Sequence, residues 1–304
     1  VTLFIVQALN GFQLGMLLFL IAAGLTLVFG VMKFVNLAHG VQYMLGAYLG
    51  VTFAHLTGSF WLGLLGAAAV AGLVGLALER LIFRHLYGRG ELDQVLATFG
   101  VLITLNEVVR TLWGSSPLEL AMPDALSSTF QLVPGLRYPV YRVALSLAGI
   151  LVALLLALVV NRTRVGMLIR AGATSQEMVS ALGVDIGRLF RLVFGVGAMM
   201  AGFAGVLAAP LVSVEPGMGD NLLILAFVVI VIGGVGSIRG AFVAAIVVGL
   251  VDTLGRELIT ALAKAVLSGP QADLLGPALA SMLIYLVMAG VLAIRPAGLF
   301  AARA

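Results

Sequence analysis

Apolar runs of membrane-spanning length succeed one another from residue 11 to residue 294, and this succession constrains the fold more than any other feature. A bilayer core about 30 Å thick needs roughly 20 apolar residues per helical crossing. Inside lipid each backbone polar group must find its partner within the protein. The composition agrees: 62% of the 304 residues are hydrophobic and 10% charged, with a mean hydropathy of +1.18. Soluble domains carry about 25% charged residues. The chain is therefore expected to be an all-α integral membrane protein, a polytopic bundle of eight to ten transmembrane segments.

Candidate spans are residues 11–32, 38–56, 60–83, 92–113, 140–160, 188–214, 221–238, 240–258 and 276–294. The stretch 1–9 is either a short extra helix or the start of the first span. It lacks a basic region and a small-residue cleavage site, so it reads as mature protein rather than a signal peptide. Asn10-Gly11, Gly233-Gly234 and Gly236 leave the count open, as loops or as breaks within helices. Fifteen of the seventeen basic residues are arginines, clustered beyond the ends of apolar runs as membrane topology requires. That arrangement argues against nucleic acid, despite a net charge of +4. The arginines place residues 80–89 and 161–187 in the cytoplasm and leave 114–139, rich in Pro and Ser, as an external loop. Arg295 and Arg303 put the C-terminus inside; with nine spans the N-terminus would lie outside.

Five arginines interrupt the lipid pattern at Arg162, Arg164, Arg170, Arg188 and Arg191. Between them Thr174 and Glu177 have capping-box spacing. Ala181 and Leu182 give the short helix an apolar side, and Gly183 stands where a left-handed residue would end it. Asp185 is placed to cap the next helix. A folded helix here looks suited to a cytoplasmic partner.

Two further interruptions carry Gly and polar residues at what should be membrane depth. One is Asn36-Leu37-Ala38-His39-Gly40; the other runs from Gly233, Gly234 and Gly236 through Ser237 to Gly240. In each, a small residue able to cap (Asn36 or Ser237) precedes a new apolar helix. Discontinuous helices in corresponding halves are the mark of an internally repeated transporter with its pathway at the breaks. Tight cytoplasmic loops would read the same way. Small-residue pairs such as Gly46/Gly50, and Gly72 with Ala71 and Gly75, fit close helix packing.

Several chemistries have no support. A phosphate-binding Walker loop needs Gly-Lys-Ser/Thr, and Lys33 and Lys264 follow Met and Ala, so ATP would have to be handled by another subunit. Glu107 with Arg110, and Asp252 with Arg256 and Glu257, are the candidates for ion coupling, but each group falls near a span end, where interfacial ion pairs are expected. His39, His55 and His85 lack a ligand-spaced neighbour, there is no cysteine, and no metal site or catalytic residue is expected.

The run Asn36-Leu37-Ala38-His39-Gly40, with Tyr43-Met44-Leu45-Gly46-Ala47-Tyr48, resembles the LivH-type permeases of bacterial branched-chain amino acid ABC importers. The likeness continues at Leu78-Glu79-Arg80, Leu96-Ala97-Thr98-Phe99-Gly100, Gly166, Arg170-Ala171, Ala181-Leu182-Gly183 and residues 201–210. Gly233-Gly234-Val235-Gly236-Ser237, Gly240-Ala241 and Arg295-Pro296-Ala297-Gly298-Leu299-Phe300 complete it, so it covers the whole chain in order. Val41 stands where many relatives carry an acid, and Gln176-Glu177 replaces the charged pairs common there.

The resemblance implies a single permease domain in a bacterial cytoplasmic (inner) membrane, not itself an enzyme. Its partners would be a LivM-like second permease or a second copy of itself, two cytoplasmic ATPase subunits holding ATP and Mg, a periplasmic binding protein, and membrane lipid. The implied function is alternating-access import of branched-chain amino acids or related small polar solutes. By position, Arg170, Thr174, Ser175, Glu177, Ala181, Leu182 and Gly183 match the coupling helix that meets the ATPase. Asn36, His39, Gly40, Gly233, Gly234, Gly236, Ser237 and Gly240 are expected along the pathway. The alternative is an autonomous ion-coupled transporter or channel.

Overall fold

The computed structural model describes residues 2–133, 136–266 and 269–300. Val1, Arg303 and residues 134–135 of the expected external loop lie outside them. Among the described residues nine long helices correspond one for one to the nine predicted spans. They are α1 (Thr2–Met32), α2 (His39–Thr57), α3 (Phe60–Leu81), α4 (Glu91–Trp113), α5 (Val140–Arg162), α8 (Ile186–Ala208), α9 (Met218–Gly233), α10 (Ile238–Val266) and α11 (Gly269–Ile294), with the short α6 (Arg164–Thr174) and α7 (Gln176–Ala181) between α5 and α8. Six of them are long and apolar enough to cross a membrane. α9, at 16 residues, falls short; its axis is only about 24 Å long.

α1 is the hub. Its most apolar window is 83% buried, against 17% in α4 and 11% in α5. It packs on α10, α8, α5 and α9. It also runs unbroken through Asn10-Gly11, where a break was a possible reading. Asn10 is held from outside its own helix, its Oδ1 accepting from Arg142 Nη1 at 2.7 Å and Tyr138 Oη at 3.2 Å. Gly11 is there for close approach: a Cβ on it would stand 2.9 Å from the Gly249 carbonyl on α10. Opposite the core, α5 presents Leu147, Leu151, Leu154 and Leu158 outward at helical spacing, the stripe expected against lipid.

A second packed layer joins α2, α3 and α8 through small residues. Gly46 of α2 lies on Gly202 of α8, and Gly75 of α3 lies on Ala198 of α8. Backbones can approach this closely only where no branched side chain intervenes.

Two boundaries differ from the sequence expectation. The run 221–238 reads as one span because Val235 and Ile238 keep hydropathy high, yet the chain reverses at Gly234 and Gly236, with φ of +100° and +79°. The expected loop 114–139 contains an antiparallel hairpin of β1 (Thr129–Val133) and β2 (Leu136–Pro139), Phe130 opposite Tyr138. Tyr138 ties this hairpin to the start of α1 through Asn10.

Candidate functional site

The arginine-rich segment folds as two helices, not one. α6 starts at Thr163, whose Oγ1 accepts from Gly166 N at 3.1 Å. It buries Gly166, Ile169 and Gly172 and leaves Arg170 exposed. α6 continues through Thr174, so Thr174 is not the cap that its spacing from Glu177 indicated. Its Oγ1 donates back to the Arg170 carbonyl at 3.1 Å. Ser175 takes that place: its backbone is extended and its Oγ accepts from Met178 N at 3.3 Å. Both residues offer a hydroxyl one step apart, and only the length of α6 chooses between them.

α7 ends as the sequence indicates. Gly183 has a φ of +82°, and Val184 N donates to the Val179 carbonyl at 3.3 Å, which closes the last turn. Asp185 caps α8, its Oδ1 accepting from Arg188 N at 3.0 Å. Of α7 only Val179 is buried. Glu177, Ser180, Ala181 and Gly183 are exposed, and Met178 and Leu182 are 64% and 78% exposed. These two apolar side chains, one turn apart, form a ridge on a helix outside the bundle. Met178 had no place in the sequence reading, although its spacing from Leu182 carries the signal.

Among the described residues one hydrogen bond joins α7 to the hub. Gln176 Nε2 donates to the Val31 carbonyl at 2.9 Å, across 145 residues of sequence. Val31 lies in the last turn of α1, where carbonyls have no partner within the helix. Gln176-Glu177 stands where charged pairs are common among relatives; the structure turns Gln176 inward and leaves Glu177 exposed.

The chain leaves α1 through Lys33, with a φ of +51°, and returns into the bundle without helical structure over residues 33–38. α2 then begins at depth. His39 is fully buried; its Nε2 donates to the Ile21 carbonyl at 3.1 Å, and its Nδ1 lies 3.1 Å from the Gln42 side-chain amide. Ile21 precedes Met32 by eleven residues, or roughly 16 Å along the helix axis. Asn36, also fully buried, does not cap α2 directly: its Oδ1 accepts from Ala38 N at 3.1 Å, and its Nδ2 has no partner among the described residues.

The second expected break is a tight turn between α9 and α10. Gly236 lies against Gly30, at the C-terminal end of α1, and Gly240 lies against Gly233. Ser237 caps α10 as expected, accepting from Gly240 N at 3.1 Å. Gly233, Gly234 and Gly240 are buried; Gly236 and Ser237 are partly exposed.

The backbone that meets the start of α2 comes from elsewhere, Gly217 to Gly219 at the start of α9. Gly217 N donates to Asn106 Oδ1 at 3.1 Å. Asn106 stands seven residues short of the end of α4, about 10 Å inside it. Gly40 and Gly219 touch: a Cβ on Gly40 would come 2.6 Å from the Gly219 carbonyl. Two helix starts, α2 and α9, therefore meet inside the bundle beside Asp220, whose carboxyl is bonded to Asn106 and whose Oδ1 is buried with no partner among the described residues. Sequence reasoning left 215–220 without a role between the spans 188–214 and 221–238, although Glu215-Pro216-Gly217-Met218-Gly219-Asp220 repeats the pattern of a Gly-containing break before an apolar helix.

Of the carboxylates considered for ion coupling, Glu107 and Asp252 are paired within their own helices and Glu257 is bonded to α1. Glu107 and Arg110, 3.8 Å apart, are both exposed. Asp252 stands at the middle of α10 rather than near a span end as the sequence indicated; it is largely buried and accepts from Arg256 Nε and Nη2 through one oxygen at 3.0 and 2.8 Å. Glu257 accepts from Gln7 Nε2 at 2.6 Å.

Comparison with known proteins gives this geometry a setting. The family described as the permease component of the branched-chain amino acid transport system matches residues 7–292. The high-affinity branched-chain amino acid transport system permease protein BraD of Pseudomonas aeruginosa is 30% identical, over 83% of this chain and 86% of its own. The permease protein LivH of the corresponding Escherichia coli K12 system is 29% identical over 95% of both chains. LivM of the same organism is 31% identical over 81% of this chain but only 62% of its own, so the likeness runs to the LivH side. No solved structure matches. A multi-pass helical bundle with an exposed helix at one end and paired helix starts within is thus joined to a match over nearly its full length: the chain belongs to the family of branched-chain amino acid transport system permease components.

Proposed function

We propose that this chain is the LivH-type permease subunit of an ATP-driven importer in a bacterial inner membrane. Its cargo is a branched-chain amino acid or a related small solute bearing a carboxylate. ATP and Mg are bound by two separate cytoplasmic subunits, and this chain carries no catalytic residue. A LivM-like permease completes the pathway, and a periplasmic binding protein delivers the solute. The whole chain acts as one permease domain, with 161–187 inside and 114–139 outside.

The observation that carries this reading is α7. It is a capped helix outside the bundle that offers Met178 and Leu182 to a partner and is bonded through Gln176 to the end of α1. Apolar side chains this exposed beyond the membrane mark an interaction site. In the proposed mechanism the ATPase pair closes on ATP binding, α7 moves with it, and α1 and α8 pass the movement inward. Asn36, His39 and Gly40 at one break, and Gly233, Gly234, Gly236, Ser237 and Gly240 at the other, border the moving pathway. Backbone N–H groups at the starts of α2 and α10 favour a carboxylate there.

The test is co-purification from native membrane followed by transport in liposomes. Recovery of ATPase subunits, and uptake of leucine that requires ATP inside, is the expected result. Recovery of this chain without an ATPase, with uptake driven by an ion gradient alone, would overturn it.

A further inference from the structure

Four arginines not used by the transport reading gather where α3 and α8 leave the membrane, at the end of the bundle that carries α7. Leu76, Arg80, Arg188 and Arg191 line an open recess of about 390 Å³. A neighbouring recess of about 320 Å³ shares Arg191 and adds Arg84, Glu79, Tyr87 and Asp185. Across the two, four guanidinium groups face two carboxylates. Asp185 is ion-paired with Arg188 at 2.9 Å. Glu79 Oε1 accepts from Tyr87 Oη at 3.0 Å. Burial first, and Glu79 second, push the Tyr87 hydroxyl above the usual phenol range, so it remains a donor. The Arg80 and Arg84 side chains attract Glu79 but make no hydrogen bond or ion pair among the described residues, and positive charge is left in excess.

The same recess continues into an apolar groove. Leu76 is common to both, and beyond it Leu73 on α3 and Leu192, Val196 and Met199 on α8 line a further 270 Å³ or so. From Arg188 to Met199 is eleven residues of α8, roughly 16 Å of axis. That is about one leaflet of a 30 Å core. A cytoplasmic protein docking on the arginines would have no use for a greasy channel running this far into the bilayer.

We infer that the α3–α8 groove is a binding site for an anionic phospholipid, its phosphate held by Arg80, Arg188 and Arg191 and one acyl chain lying along Leu73, Leu76, Leu192, Val196 and Met199. Basic pockets between transmembrane helices at a membrane surface take lipid head groups in this way. The bound lipid would bridge α3 and the helix directly following α7.

The test uses the assembled complex in nanodiscs of phosphatidylcholine with a minor fraction of phosphatidylglycerol, and native mass spectrometry to count retained lipid. Wild type should retain phosphatidylglycerol in preference to phosphatidylcholine. Arg188→Gln with Arg191→Gln should weaken that retention about 25-fold, at roughly fivefold per arginine near the membrane surface. Ala69→Trp, at an exposed position lining the groove, should weaken it with all arginines in place. Glycerol phosphate, a head group without chains, should not compete. Equal retention by wild type and both variants, equal retention of phosphatidylcholine, or full competition by glycerol phosphate would each overturn the assignment.

Discussion

The single bond between Gln176 and Val31 makes the coupling mechanism open to a direct test. Gln176→Ala removes the only side-chain donor described on the Val31 carbonyl. A hydrogen bond of this kind contributes about 1 kcal/mol net. Gln176 is half-buried at the edge of the bundle, so water can replace it and the loss should stay near that figure. In a bundle of this size the unfolding midpoint then falls by only about 2–4 °C, and the complex should assemble. Transport should suffer more. If α7 moves α1 through this bond, a loss of about 1 kcal/mol in their linkage lowers the coupled population roughly fivefold.

The assay is ATP hydrolysis and leucine uptake measured on the same proteoliposomes. Uptake per ATP should drop about three- to fivefold while hydrolysis stays level or rises. Gln176→Glu, of the same shape but with no donor for a carbonyl, should behave as Gln176→Ala does. Unchanged uptake per ATP in both variants, with the ATPase still bound, would refute the argument that this bond transmits the stroke.

Other consequences follow from the same geometry. Leu182→Glu or Met178→Glu changes an exposed side chain, so the fold should hold; burial of each against a partner is worth about 1.5–3 kcal/mol, and co-purification of the ATPase should fall at least tenfold. Gly40→Ala places a methyl 2.6 Å from the Gly219 carbonyl; overpacking of this sort costs about 1–3 kcal/mol and should show as a lower thermal midpoint. Gly100→Ala, where a methyl meets nothing within 4 Å, should be neutral or stabilising by up to about 1 kcal/mol through helix propensity. Asn36→Ala with Ser237→Ala removes the hydroxyl cap of α10 and the Asx turn before α2. Uptake unchanged in a well-assembled double variant would remove both breaks from the pathway.

What the sequence could convey depended on how local the cause was. Most of the long helices were legible because a run of about 20 apolar residues is its own cause in lipid; α9, at 16 residues, was legible in its place but not in its end. Gly183 and Asp185 were legible because caps act within three or four residues. Thr174 was misread for Ser175 because the decision rests on where α6 stops, and α6 is set by its packing of Gly166, Ile169 and Gly172. The burial of Gly219 was hidden for another reason: hydropathy reports composition along the chain, and Gly219-Asp220 looks the same in a surface loop as at a helix start packed inside the bundle. The inward turn of Gln176 was hidden because its partner, Val31, is brought near only by the tertiary fold.

These contacts also limit what can move. α7 is joined to α1 by Gln176 and to α8 through the Gly183 turn and the Asp185 cap. α1 and α8 touch backbone to backbone at Gly24 and Gly197, and α1 meets α10 likewise at Gly15 and Ala245. Cores packed this closely respond as units, since a gap of half an ångström already forfeits much of the contact energy. A push at α7 in the proposed mechanism therefore moves α1, α8 and α10 together. His39, bonded to the Ile21 carbonyl, carries the start of α2 with them. The peripheral α4 and α5, open to lipid along most of their length, have far less holding them to that unit. Gly40 and Gly219, and Gly233 and Gly240, tie α9 to that unit backbone to backbone in the same way, so the play that alternating access requires is to be sought where the unit meets α4 and α5.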